Sequence, residues 1–84
     1  MNTCLIAARS LTYAQRSARA LEKAGLSAYV TRMPAGLRGN GCGYAVRVSE
    51  HELHNAAGYL RRNGFEPKRA YMINENGRSS EVSI

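Results

Sequence analysis

Apolar positions change period along the chain, and that change marks the elements. Thr3 to Ala8 is a short apolar run ending at Arg9, the pattern of a strand buried on both faces. Leu11, Ala14, Ala18 and Leu21 then recur at helical spacing, with Gln15, Arg16, Arg19, Glu22 and Lys23 on the opposite side. Ser10 or Thr12 opens this helix, and Thr12 with Gln15 has capping-box form. Gly25 stands where a left-handed C-terminal cap belongs. A second strand is predicted from Ser27 to Met33 and ends at Pro34, which cannot donate to a ladder.

The next segment, Pro34 to Gly43, holds four glycines in ten residues and reads as a loop. Tyr44 to Val48 alternates as a third strand, with Tyr44, Val46 and Val48 on one face. Ser49-Glu50-His51-Glu52 has capping-box form and starts a second helix, whose buried stripe is Leu53, Ala56, Ala57 and Leu60. Asn63-Gly64 closes it, and Lys68 to Asn74 alternates as a fourth strand. Residues 75–84 are polar and read as a flexible tail, on which Val82 and Ile84 dock weakly.

The element order is β-α-β-β-α-β. Leu21-Glu22-Lys23-Ala24-Gly25-Leu26 is echoed by Leu60-Arg61-Arg62-Asn63-Gly64-Phe65 at the same place in the second half. This is the split βαβ arrangement: an α+β, ferredoxin-like βαββαβ sandwich over residues 1–74, with a four-stranded antiparallel sheet and two helices on one face. Right-handed crossovers put strands one and three at the centre and strands two and four at the edges.

At 84 residues the chain is one small domain with a thin core. It carries no recognisable signal peptide and no apolar run near the ~20 residues of a membrane span. Two cysteines without an export signal place it in a reducing compartment, the cytoplasm. The net charge is +6, from ten arginines and two lysines against six acids. That charge admits nucleic acid, acidic proteins and anionic small molecules as partners, and arginine favours bidentate grips on phosphate or carboxylate.

Cys42 adds a candidate chemistry. It sits in Gly39-Asn40-Gly41-Cys42-Gly43, where missing side chains leave a thiol open, although cysteine is among the most buried residue types. The topology sets this hairpin at the sheet end where strand one passes into helix one. Arg9, Ser10, Thr12 and Arg16 are therefore expected near Arg38 and Cys42, and the turn after helix two arrives at the same end. A helix N-terminus and neighbouring arginines favour an anion and lower a cysteine pKa. The alternative is a tight corner whose cysteine packs as a small hydrophobe. Cys4 starts strand one at the other end of the sheet and reads as core.

Gly41-Cys42-Gly43-Tyr44-Ala45-Val46-Arg47-Val48, after a strand ending at Pro34, resembles a family of short proteins named as selenium/sulfur carriers. Ala20-Leu21-Glu22-Lys23-Ala24-Gly25-Leu26 resembles the same family, and the likeness spans about residues 3 to 74. It implies that Cys42 carries sulfur or selenium between donor and acceptor proteins, with Gly43 and Arg47 at family positions. As a carrier, Cys42 would hold a persulfide, with Gly41, Gly43, Arg38, Arg47, Ser10, Thr12 and Arg16 around the bound group. No cofactor and no metal are expected, and His51 and His54 read as exposed helix positions far from Cys42.

A turnover enzyme is not expected, because no Ser/His/Asp set and no P-loop order is present. Two other classes stay open. Such a sheet can bind RNA by stacking bases on aromatics of its central strands, but strand one has none and strand three only Tyr44. A regulatory module that binds a small ligand, or a homodimer formed through the edge strand Ser27 to Met33, is the other, with Arg32 guarding that edge.

Overall fold

The computed structural model describes residues 2–34 and 43–84. Its elements are β1 (Thr3–Ala8), α1 (Leu11–Lys23), β2 (Tyr29–Arg32), β3 (Tyr44–Ser49), a 3-10 turn (Glu50–Glu52), α2 (Leu53–Arg62), β4 (Ala70–Ile73) and β5 (Ser79–Val82). The strands form one antiparallel sheet in the order β2-β3-β1-β4-β5. Strands one and three are adjacent and central, as the split βαβ order requires. The strand count is a correction: five, not four.

The fifth strand comes from the segment that reads as a polar tail. Asn74 turns the chain, its Oδ1 accepting from the N–H groups of Asn76 and Arg78 at 2.9 and 3.0 Å. Gly77 supplies the positive φ of +80°, and Ser79–Val82 pairs with β4. Thus β4 is interior and β5 is the edge, where exposed Ser79, Ser80 and Glu81 resist further pairing. The turn signal was Asn76-Gly77. The hydrophobic pattern hid it, since a polar edge strand lacks an apolar face.

One face of the sheet carries the main core. Cys4, Ile6 and Ala8 of β1, Val46 and Val48 of β3, and Ala70 of β4 meet Ala14, Ala18 and Leu21 of α1 and Leu53, Ala56 and Leu60 of α2. The stripe of α2 is as the spacing predicts. That of α1 differs at one end: Leu11 is exposed, and Ser17 is buried in its place. Val82 and Ile84 pack partly on this core. Leu5, Met33, Ala45 and Tyr71 form a smaller buried cluster on the other face.

The echo between the two halves is a repeated helix stop. Leu26 N–H donates to the Leu21 carbonyl and Gly25 N–H to that of Glu22; Phe65 N–H donates to Leu60 and Gly64 N–H to Arg61. Gly25 and Gly64 have φ of +87° and +86°. These are two Schellman motifs, which need a residue free to enter the left-handed region. The start of α2 differs from the capping box expected at Ser49. Ser49 makes no side-chain cap, a 3-10 turn precedes the helix, and the Glu50 carboxylate instead accepts from Asn2 Nδ2 at 3.5 Å.

Candidate functional site

Arg38, Gly41 and Cys42 lie outside the described residues, so the site is built from what flanks them. Met33 N–H donates to the Gly43 carbonyl at 2.6 Å, closing the ladder where the chain leaves β2 and enters β3. Tyr44 pairs with Ala8 across β3 and β1. Register alone therefore brings Gly43 to the sheet end where β1 passes through Arg9 into α1.

At that end Ser10 is the N-cap of α1, its Oγ accepting from Tyr13 N–H at 3.0 Å. The hydroxyl is committed to the helix. The amides of Leu11 and Thr12 make no hydrogen bond among the described residues, and they carry the positive end of the helix dipole. Thr12 and Arg16 are exposed on α1. Arg9 lies over the Tyr13 ring, its guanidinium carbon 4.6 Å from the centroid. Arg32 lies over Tyr44 at 5.8 Å. The turn after α2 arrives here too: Phe65 meets Tyr13 edge-on at 5.4 Å, and Glu66 N–H donates to the Tyr13 hydroxyl at 2.7 Å. Tyr13 is thus the post joining the first turn of α1 to the segment after α2. Sequence reading did not single it out, although Arg9 and Tyr13 stand four residues apart.

Arg47 is not part of this end. It lies about 13 Å along the strand from Gly43, at ~3.3 Å per residue, and its guanidinium carbon sits 5.2 Å from the Tyr29 ring centroid.

Cys4 is 1% exposed in the core, opposite Val48 and Met72 at the other end of β1. Burial, and secondarily the negative charge of Glu50, push its thiol above the ordinary value of 9.0. A buried, protonated thiol is a poor nucleophile. The shift also fixes a sign. Below about pH 9 the thiol is protonated in both states and its contribution to stability is full. As pH climbs past 9.0 the unfolded chain ionises first, binds fewer protons than the native state, and stability falls. Urea midpoints measured from pH 8 upward should drop more steeply in the native sequence than in Cys4→Ala; parallel profiles would refute the burial of this thiol.

The model of the family described as "Putative Se/S carrier protein-like" matches residues 3–72. The chain belongs to that family. The match runs from the first residue of β1 to the penultimate residue of β4 and spans Cys42 and Arg47, which makes β5 an addition beyond the matched region. No curated protein and no solved structure matches the chain. The family's description names carriers, a role that implies partner proteins, and no helix among the described residues is long and apolar enough to cross a membrane.

Proposed function

We propose that this family member carries a sulfur or selenium atom on Cys42 and hands it between a donor and an acceptor protein in the cytoplasm, without turnover of its own. Membership of the carrier-like family across residues 3–72 supports this reading above any other observation. A glycine on each side of Cys42 suits access by two successive partners. The Leu11 and Thr12 amides, without a hydrogen bond among the described residues, and the guanidinium groups of Arg9 and Arg32 stand at the sheet end that Gly43 reaches, and such groups favour a thiolate.

The step is a sulfane transfer. The Cys42 thiolate attacks the outer sulfur of a donor persulfide, R–S–SH. A Cys42–S–SH bond forms, the donor S–S bond breaks, and R–S⁻ leaves with the electron pair. Delivery repeats the exchange in the other direction, with an acceptor thiolate attacking and the Cys42 thiolate leaving. No external oxidant or reductant enters either step.

The deciding experiment is the pH dependence of Cys42 alkylation in a Cys4→Ala background, which removes the second thiol without putting a hydroxyl in an apolar core. The expected midpoint lies clearly below the ~8.5 of a free cysteine, within the range that cationic surroundings produce. Slow alkylation with a midpoint at or above that value would overturn the carrier reading.

A further inference from the structure

The sheet carries a second feature at the end remote from Gly43, on the face turned away from the helices. Tyr29 of β2 is 58% exposed, the most exposed large hydrophobic residue among those described. It pairs across the ladder with Arg47 of β3, whose guanidinium lies on one side of its ring at 5.2 Å. Arg47 makes no ion pair and no hydrogen bond with any described residue, so apart from the Tyr29 ring its charge has no partner among them. Beside the pair lies a pocket of about 190 Å³, bordered by Thr3, Ser27 and Ser49 as well as Tyr29 and Arg47. Pockets for drug-sized ligands start near 300 Å³, so this one has room for little more than a single ring system. Its hydroxyls both donate and accept.

The structure assigns this platform to single-stranded nucleic acid: one unpaired base stacks on Tyr29 with its edge toward the hydroxyls of Thr3, Ser27 and Ser49, and Arg47 takes the adjoining phosphate. The chemistry matches on three counts. An aromatic face stacks any base, a free guanidinium suits phosphate, and the net charge of +6 attracts a polyanion. The platform is not the central-strand pair on which RNA-recognition sheets rely. Tyr44, the one central-strand aromatic, packs against the core on the helix side. Tyr71 is buried, and together with Glu81 it engages Arg69, raising that arginine's pKa. That leaves Tyr29 and Arg47 as the exposed aromatic and free cation of this face among the described residues.

The test is fluorescence anisotropy with labelled twelve-nucleotide oligouridylate, oligothymidylate and an RNA duplex, at low and at physiological salt. Both single strands should bind more tightly than the duplex, and a preference for oligouridylate would assign the site to RNA over DNA. Tyr29→Leu should weaken single-strand binding about 5- to 150-fold, the range expected for losing one stacked base, while Tyr29→Phe stays near the native affinity. Arg47→Gln should weaken binding and flatten the log–log salt dependence by about 0.7, one phosphate on a single strand. Arg19→Gln, an exposed change on α1, should do neither. Native affinity in Tyr29→Leu, equal losses in Arg19→Gln and Arg47→Gln, a preference for duplex, or no binding at low salt would each overturn the assignment. If Tyr29→Leu unfolds, the Arg47→Gln and Arg19→Gln comparison decides. Cys42 takes no part in these readouts, so the result is independent of the carrier reading.

Discussion

Replacing Cys42 with serine is expected to abolish persulfide loading outright. Incubation with a small persulfide donor, followed by intact-mass measurement, should give a 32 Da addition in the Cys4→Ala protein and none in the Cys4→Ala, Cys42→Ser protein. The reason is chemical rather than conformational. A hydroxyl replaces the thiol at nearly the same size, but an alkoxide is not accessible near neutral pH and an oxygen cannot form the S–S bond that holds the cargo. Cys4 cannot substitute, because 1% exposure gives a donor no path to its sulfur and burial keeps the thiol protonated. The complementary pair is informative: Cys4→Ala should load fully. Loading that persists in Cys42→Ser and disappears in Cys4→Ala would transfer the chemistry to the core and contradict the burial of β1. A urea melt on each protein separates loss of chemistry from loss of fold.

Truncating Leu60 to alanine is expected to cost about 2–5 kcal/mol, the largest stability loss from a single side chain of α2. Leu60 is 1% exposed and packs with Leu21 and the strands of the helix-side core. Among the described residues, eight of the eighteen buried hydrophobic side chains are alanine, so few large groups fill this core. Where so many neighbours are methyl groups, little can move into the space a leucine leaves, and a cavity remains. Stabilities of small domains total about 5–15 kcal/mol, and an 84-residue chain belongs near the lower end. The variant should therefore be largely unfolded at moderate urea concentrations where the native protein is intact. A loss below about 1 kcal/mol in denaturant titration would mean that α2 rides loosely on the sheet.

The helices and their ends were legible because their causes are local. Gly25 and Gly64 announce left-handed stops in sequence, and the 3.6-residue recurrence of Leu53, Ala56, Ala57 and Leu60 is the face that is buried. The first turn of α2 was misread. Ser49 and Glu52 have the right spacing for a reciprocal cap, but the chain enters α2 through a 3-10 turn, and Ser49 makes no side-chain cap there. The sheet end was legible at the level of topology: β1, α1 and the β2–β3 connection had to meet there. Its contacts were not. Tyr13 touches Phe65 and Glu66 across more than fifty residues, and no periodicity encodes such a pair.

The element order, the two helix stops and the central pairing of β1 with β3 follow from the residues alone. Each rests on near-neighbour chemistry or on the handedness of crossovers, which act whatever the rest of the chain does. The tertiary structure settled the rest. It turned a polar tail into β5, because an edge strand is stabilised by a ladder and not by its own side chains. It laid Arg47 on Tyr29, because the β2–β3 register chooses which side chains stand side by side.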